Sequence, residues 1–260
     1  MGIDEEDDVL ERVSRRFDFL QHLDKDGLTK PELVRELDIS RSTVERAIRE
    51  LEDLGSIEYF DGEYRLTVPG ELLLQAYGTF INDINDVSGA MELLNHIPSD
   101  APFDACVLKD AEVVSPKKSN TYRPDKRIRE IVTGSQHLGN IAKSHSRSEA
   151  IEVFNRRIVH DGMTMETVFQ EDMYRNLRSM ENEALDEFMS SDRMTAYVTD
   201  EVPYGMFLSH TDTGKKVCLI VYDDDNLLRG VIINDSQEAV EWAEGVIEEY
   251  IRRGREVEWE

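Results

Sequence analysis

The chain has 260 residues, 40% of them hydrophobic, and carries 55 acidic against 30 basic side chains, a formal net charge of −25 at pH 7. This length supports one large or two ordinary packed domains, and the hydrophobic content excludes a disordered acidic tail. The start MGIDEEDD is unlike a signal peptide, and no apolar run reaches the ~18 residues of a membrane-spanning helix. We therefore expect a cytoplasmic protein without a membrane partner.

The acidic side chains are spread along the whole chain, and only 9 of the basic residues are lysines. Such a composition is typical of proteins kept soluble in concentrated salt, where the Debye length falls to ~3 Å at 1 M and self-repulsion is screened. We interpret the charge as halophilic; an acidic face for a basic partner is the alternative. Cys106 and Cys218 sit among apolar neighbours and are expected to be buried thiols, with redox sensing as the alternative.

The N-terminal part of the chain predicts three helices. An apolar stripe indicates a first helix over residues 9–23. At Thr29 the sequence TKPE combines an N-cap threonine with a glutamate at capping-box spacing, which predicts the start of a second helix. Ser40 is expected to cap a third helix that ends near Leu54.

A β-hairpin is predicted next, because two β-rich runs flank Asp61-Gly62, a dipeptide typical of two-residue hairpin turns. Three helices followed by a hairpin predict a winged helix-turn-helix DNA-binding domain over residues 1–70. A small helical domain with the same order of elements is the alternative.

The third helix has an apolar face and a face rich in arginine and hydroxyl side chains. Helix-turn-helix proteins place the N-terminal part of this helix in the major groove, where Arg binds guanine and Ser or Thr reach phosphates or base edges. A solvated polar face is the alternative. The predicted contacts with double-stranded DNA are Ser40, Arg41, Ser42, Thr43, Arg46 and Arg49 on the helix and Tyr64 and Arg65 in the wing.

A long helix is predicted from Glu71 to about His96, and residues 71–97 are interpreted as a linker and dimerisation helix. Its apolar residues follow an a/d pattern, which favours a homodimer seam, with packing on its own domain as the alternative. The predicted seam residues are Leu73, Phe80, Ile84, Val87, Met91 and Leu94.

Residues 98–260 predict an α/β effector-sensing domain, so that the whole chain is of the α+β class with two domains. One continuous helix is expected over EDMYRNLRSMENEALDEFMS, and Asp235 or Ser236 is expected to cap a last amphipathic helix. The polar stretch GSQHLGNIAKSHSR, which contains His137 and His145, is predicted to be a solvated loop, with a metal or ligand loop as the alternative.

The segment LTKPELVRELDISRSTVERAIRELEDLGSIEYFDGEYRL resembles the winged-helix domains of archaeal regulators. The motifs VPYG, VYDDDNLLRGVIIND and AVEWAE resemble the domain named for the methanogenesis regulatory protein, which haloarchaeal regulators carry. That family is distantly similar to TrmB-like regulators, which implies a degenerate phospholipase-D-like layout. The His-x-Lys motif of phospholipase D chemistry is absent, because none of the six histidines has a Lys two positions later.

The sequence thus predicts a dimeric, sequence-specific transcriptional regulator controlled by a signal sensed in its C-terminal domain. No enzyme activity, cofactor or metal is expected. The alternatives are a phosphodiesterase-like hydrolase with a DNA-targeting module and a ligand-independent chromatin or architectural protein. The candidate contacts for a small-molecule effector are Tyr122, Arg123, His137, His145, Arg147 and Tyr204.

Overall fold

A computed structural model of the chain describes residues 3–24, 27–117, 120–143 and 148–259. The chain divides into two compact units, Met1–Ile84 and Asn85–Glu260. It is a mixed α and β structure with one large sheet. Within the described ranges, no helix is both long enough and apolar enough to cross a membrane.

The first unit contains three helices and a hairpin, in the order predicted. They are α1 (Ile3–Leu23), α2 (Lys30–Leu37), α3 (Arg41–Asp53), β1 (Ile57–Phe60) and β2 (Glu63–Leu66), followed by α4 (Val68–Leu94), which continues into the second unit. Helix α1 begins six residues before the predicted start at Val9. Its first turns are acidic, and negative charge near a helix N-terminus is favourable, so the helix extends beyond its apolar stripe.

The long helix α4 confirms the predicted helix, and three of the six predicted seam residues are exposed on it. Leu73 packs against the core of the first unit, and Val87 and Leu94 pack against a core of the second unit. The exposed apolar side chains on this helix include Leu72, Phe80, Ile84 and Met91. Three of the six predicted seam residues are therefore engaged by their own unit, and the free stripe lies partly on other positions.

The second unit is built on an eight-stranded sheet. Its strands are β3 (Glu112–Val114), β4 (His137–Ala142), β5 (Thr164–Gln170), β6 (Met194–Thr199), β7 (Gly205–Thr211), β8 (Gly214–Tyr222), β9 (Leu228–Asn234) and β10 (Arg255–Val257). The strand order is β10-β6-β5-β4-β7-β8-β9-β3. Strands β4, β5 and β6 pair in parallel and all other neighbours are antiparallel, which gives a mixed sheet.

Helices cover both faces of this sheet. One apolar core includes side chains of α5 (Arg123–Gly134), α6 (Ser148–Asn155), α7 (Glu171–Arg178) and α8 (Glu183–Met189). The other includes the buried face of α9 (Gln237–Arg253) and the last turns of α4. As predicted, Ser236 caps α9, because its hydroxyl accepts a hydrogen bond from the Ala239 N–H at 3.3 Å.

Two expectations for this unit are wrong, and one strand was not expected. The stretch around His137 is the inner strand β4 and not a solvated loop, since its side chains alternate between the two cores. The predicted continuous helix over 171–190 is broken into α7 and α8, because Asn182 caps the second helix by accepting from the Leu185 N–H. Strand β10 was not predicted; it is three residues long and lies at a sheet edge, where pairing leaves little pattern in the sequence.

Gly70 allows the first turn of α4 to lie against the turn after α3. The Thr67 hydroxyl donates to the Gly55 carbonyl at 2.6 Å and accepts from the Gly70 N–H at 3.2 Å. A Cβ on Gly70 would lie 1.9 Å from the Ser56 carbonyl oxygen, which is far inside van der Waals contact.

We therefore expect Gly70→Ala to destabilise the first unit by ~1–3 kcal/mol, because the added Cβ forces a backbone shift in a packed site. Gly78→Ala in the same helix is the control, because its Cβ would meet only the Phe17 ring, at 3.9 Å. That control should gain ~0.5–1 kcal/mol from helix propensity. Thermal unfolding followed by circular dichroism measures the stability of both variants. Equal stability of Gly70→Ala and the parent would contradict the close approach of Gly70 to the Ser56 carbonyl.

Candidate nucleic-acid interface

Helices α2 and α3 are joined by a short turn, and the starts of both helices are capped by side chains. The capping box predicted at Thr29 is present, with Glu32 accepting from the Thr29 N–H at 2.9 Å. Asp38 ends α2 in the left-handed region at φ 50°, and Ser40 begins α3 by accepting from the Thr43 N–H at 3.2 Å. These caps fix where α3 starts and therefore which side chains its first turn exposes.

Helix α3 separates buried apolar from exposed cationic side chains as predicted. Its buried residues are Val44, Ala47, Ile48 and Leu51. The exposed side chains on the opposite face include those of Ser42, Arg46 and Arg49; Arg41 is exposed at the first turn beside them, and Thr43 is half-buried. The two hydroxyls of Ser40 and Thr43 lie 2.8 Å apart, so they already form part of one hydrogen-bond cluster at the helix start.

The arginines of this face have partners on their own helix. Arg41 Nε donates to Glu45 at 3.0 Å, and Arg46 Nε donates to Glu50 at 2.9 Å. Arg49 Nε donates to the Glu45 carbonyl at 3.2 Å. These contacts hold each guanidinium close to the helix, and the face carries three cations but little net charge.

Glu50 connects the exposed face to the interior of the first unit. One of its carboxylate oxygens accepts from Arg46, and the other accepts from Arg16 of α1 at 2.8 Å. Arg16 is buried, with 7% of its surface exposed. The hydrogen bond from Arg16, followed by that from Arg46, lowers the pKa of Glu50 from 4.5 to about 2. The buried guanidinium of Arg16 therefore holds the Glu50 carboxylate, and Glu50 in turn positions the guanidinium of Arg46.

The β1–β2 hairpin, predicted as a wing, has the expected turn, with Asp61 at φ 50° and Gly62 at φ 92°. The prediction that Tyr64 contacts DNA is wrong, because its side chain is 8% exposed and belongs to the core of the first unit. Arg65 is exposed; its guanidinium lies 3.9 Å from the Phe60 ring centroid and pairs with Glu58.

The sequence prediction missed two aromatic residues on this hairpin. Tyr59 and Phe60 are 60% and 56% exposed, which is unusual for large rings in a short strand. Only the first residue of strand β1 is buried, and its last three residues are exposed to solvent. Consecutive aromatic residues next to an Asp-Gly turn are the signal that could have identified them.

The predicted effector contacts do not form one cluster. Tyr122 is 69% exposed at the start of α5, and Arg123 beside it is half-buried. His137 and Tyr204 lie at opposite ends of the β4–β7 pairing. His145 and Arg147 lie outside the described residues.

Tyr204 is a core residue and not a surface contact, which corrects that prediction. It is 1% exposed, and its hydroxyl donates to the Pro102 carbonyl. Burial, followed by the nearby Tyr250, raises the pKa of Tyr204 well above its ordinary value of 10.0, so the phenol stays protonated.

His137 instead pairs with His210, a residue that sequence reasoning did not select. The two rings lie 4.9 Å apart, and His137 Nδ1 is 2.8 Å from the Thr164 hydroxyl. Burial lowers the pKa of His210, and the neighbouring His137 and Lys215 lower it further. Across the described ranges, no three His, Cys, Asp or Glu side chains are grouped closely enough to hold a metal ion.

Two family profiles match the chain. Residues 121–253 match the profile described as methanogenesis regulatory protein FilR1, middle domain, and residues 4–88 match the HVO_A0261 N-terminal domain. The first match contains most of the large sheet and α9, and the second contains the caps and cationic face of α3. No curated protein matches the chain.

Several solved structures are similar to the chain at low identity. TrmBL2, described as an archaeal chromatin protein with a novel mode of DNA binding, is 14% identical over 95% of this chain and 94% of that one, with a TM-score of 0.41. Nuc from Salmonella typhimurium, a phospholipase D family member, is 11% identical over 57% of this chain and 98% of that one, also at 0.41. At these TM-scores neither likeness defines a shared fold, so the phospholipase-D-like layout stays a prediction.

The matched profiles define a regulatory protein. Because the FilR1 match spans half of the chain, the chain belongs to the family of regulators that carry the FilR1-type middle domain.

Glu50→Gln should destabilise the first unit at neutral pH by ~1–3 kcal/mol, because it leaves buried Arg16 without a carboxylate. Ionised Glu50 contributes stability above its ordinary pKa of 4.5, and that contribution is lost as the pH falls toward about 2. The difference between parent and variant should therefore close over this window, as measured by urea unfolding at several pH values.

Glu45→Gln is the matched control, since it removes the partner of Arg41, which is 81% exposed. An exposed pair of this kind contributes ~0–1 kcal/mol, so the control should stay close to the parent. Equal effects of the two substitutions would show that the contact with Arg16 has no special role.

Proposed function

We propose that this protein is a dimeric, sequence-specific DNA-binding transcriptional regulator whose C-terminal domain senses a signal. The observation that carries the proposal is the exposed face of α3, where Arg46 and Arg49 lie opposite a buried apolar face and Arg41 is exposed at the first turn. Membership of a family of regulators supports it. In the proposed domain organisation, residues 1–70 bind DNA, residues 71–97 link and dimerise, and residues 98–260 sense the effector.

Three helices and a hairpin in the first unit support a winged helix-turn-helix. In such domains the N-terminal part of the recognition helix enters the major groove. This assigns base contacts to Arg41, Ser42 and Arg46, whereas Ser40, Thr43 and Arg49 are assigned to phosphates. In the wing, Arg65 is kept as a proposed contact with the DNA backbone or minor groove. The exposed rings of Tyr59 and Phe60 replace Tyr64 as its proposed neighbours in that contact.

Dimerisation is proposed through the exposed stripe of α4. Phe80 and Ile84 are each 50% exposed, and Met91 is 47% exposed. Contiguous apolar surface of this kind is typical of interaction sites, and a second copy of the same helix could cover it with knobs-into-holes packing. A dimer would present two α3 helices to half-sites about one turn, ~34 Å, apart.

Removal of one base-reading arginine should weaken specific binding. We expect Arg46→Ala to lose ~1–3 kcal/mol of affinity for a duplex selected from a random pool and to relax the preference at one base pair. Arg252→Ala is the control for loss of one positive charge, because that side chain is exposed near the end of α9 and pairs with Glu249.

Fluorescence anisotropy in molar KCl measures both variants. An unchanged affinity and an unchanged preference at every base pair in Arg46→Ala would remove this residue from base readout. Binding by the parent without any sequence preference would favour the chromatin-like alternative over a sequence-specific regulator.

A charge placed in the α4 stripe should dissociate the dimer. The double variant Phe80→Glu with Ile84→Glu places two carboxylates in the proposed seam, and a desolvated charge without a partner opposes association. The double variant Asn82→Glu with Asn85→Glu adds the same charge to two exposed positions of the same helix outside the stripe. Light scattering in molar KCl should give a monomer for the variant in the stripe and a dimer for the control, and a persistent dimer in both would contradict the seam.

A further inference from the structure

Two glutamates of α3 pair with arginines, and they differ in how their carboxylates are engaged. Both oxygens of Glu50 have donors, since Oε1 accepts from Arg46 at 2.9 Å and Oε2 accepts from Arg16 at 2.8 Å. The Glu45 carboxylate accepts from Arg41 Nε through Oε1, at 3.0 Å. Across the described residues it has no second donor. Glu50 is thus engaged entirely within the first unit, whereas Glu45 retains Oε2 for a partner outside it.

Glu45 lies among the residues assigned to base contacts. It follows Arg41 by four positions and Ser42 by three, and residues at these spacings are neighbours on a helix surface. Its side chain is 42% exposed, compared with 22% for Glu50. A helix that enters the major groove with Arg41 and Ser42 therefore carries the free oxygen of Glu45 into the groove as well.

The groove must supply a donor for this oxygen, because an ionised carboxylate only accepts hydrogen bonds. In the major groove the donors are the amino groups of cytosine N4 and adenine N6. Adenine also presents its N7 acceptor beside the amino group, and this acceptor would lie unfavourably against a carboxylate. Cytosine is therefore the base that a glutamate at this position selects.

Arg41 can bind DNA while it holds Glu45 in place. Its side chain is 81% exposed and uses Nε for the contact with Glu45. Nη1 and Nη2 have no partner in the part of the chain that the structure describes. A guanidinium has five N–H donors, so these two nitrogens can still donate to guanine O6 and N7. The pair thus presents donors and an acceptor side by side, which suits two neighbouring base pairs.

We infer that Glu45 is a specificity-determining residue, and that its Oε2 accepts from the N4 amino group of a cytosine in the base pair next to the guanine bound by Arg41. The inference rests on the proposed function, in which α3 enters the major groove of a specific DNA site. It adds Glu45 to the arginine and hydroxyl side chains predicted from the sequence as DNA contacts, and it names one base pair of the site.

Selection of a duplex from a random pool, followed by fluorescence anisotropy on duplexes with single base-pair changes, tests this contact in molar KCl. For the parent, replacement of the cytosine by any other base should weaken binding about five- to tenfold, as expected for the loss of one base contact. In Glu45→Gln the preference at this pair should change from cytosine to adenine, because a glutamine amide pairs with adenine N6 and N7. Arg41→Ala should relax the preference for guanine at the neighbouring pair and so identify it.

Glu52→Gln is the matched control. Glu52 is exposed and lies seven positions after Glu45, on the same side of α3 but in its last turn. Each variant loses one negative charge, which should raise the affinity for every sequence alike. Only Glu45→Gln should also change the preferred base.

Three results would overturn the contact: the parent has no preference for cytosine beside the guanine, Glu45→Gln changes the affinity for all four bases at that pair equally, or it changes only the guanine pair identified by Arg41→Ala. The last result would make Glu45 a positioning residue for Arg41. In each case the parent still binds a specific site, so the proposed function stands. Absence of any sequence preference in the parent would instead contradict the proposed function, and with it the contact of Glu45.

Discussion

The larger unit depends on strand β4, whose four central residues are buried. This strand pairs with β5 on one edge and β7 on the other, and both of its faces are covered by helices. Leu138 and Ile141 point to opposite cores and are fully buried. Between them Gly139 allows α9 to approach closely, because a Cβ there would lie 3.1 Å from Ile247 Cδ1. The helix layers on both faces are thus positioned by the same six residues.

Burial of this kind requires that the polar groups near the strand be paired. Ser135, just before β4, lies 2.7 Å from the Ser209 hydroxyl of β7 and also donates to the Ile131 carbonyl. Asn140 pairs with Thr167 in the same way across to β5. These hydrogen bonds link neighbouring strands within the apolar layers, where an unpaired group would be expensive. The remaining acceptor of Asn140 is the exception to this pattern, because it has no hydrogen-bond partner among the residues that the structure describes.

The first unit and the last helix could be predicted from local patterns, because caps, turn dipeptides and helical periodicity are properties of neighbouring residues. Ser40, Ser236 and Asp61-Gly62 act as their sequence contexts predict. Strand β4 could not be predicted in this way. Its His, Gly and Asn residues are typical of a solvated loop, and their roles depend on residues far away in the sequence.

Burial also decided which candidate site residues lie on the surface and which lie in a core. The arginines of α3 were predictable because the helix itself separates its two faces. Tyr64 was assigned to the surface although strand alternation places it toward the core, and Tyr204 was assigned to a loop end although its ring fills the interior.

The pairing of the α3 arginines explains how a protein of net charge −25 could bind DNA selectively. Because Arg41 and Arg46 have glutamate partners, the face carries little net charge, and in the proposed complex we expect weak binding to arbitrary sequences by counterion release. In concentrated salt the Debye length is ~3 Å at 1 M, so long-range repulsion from the acidic surface is also suppressed. In the proposed complex, affinity then comes from short, directional hydrogen bonds to base edges, which are the contacts that distinguish one sequence from another.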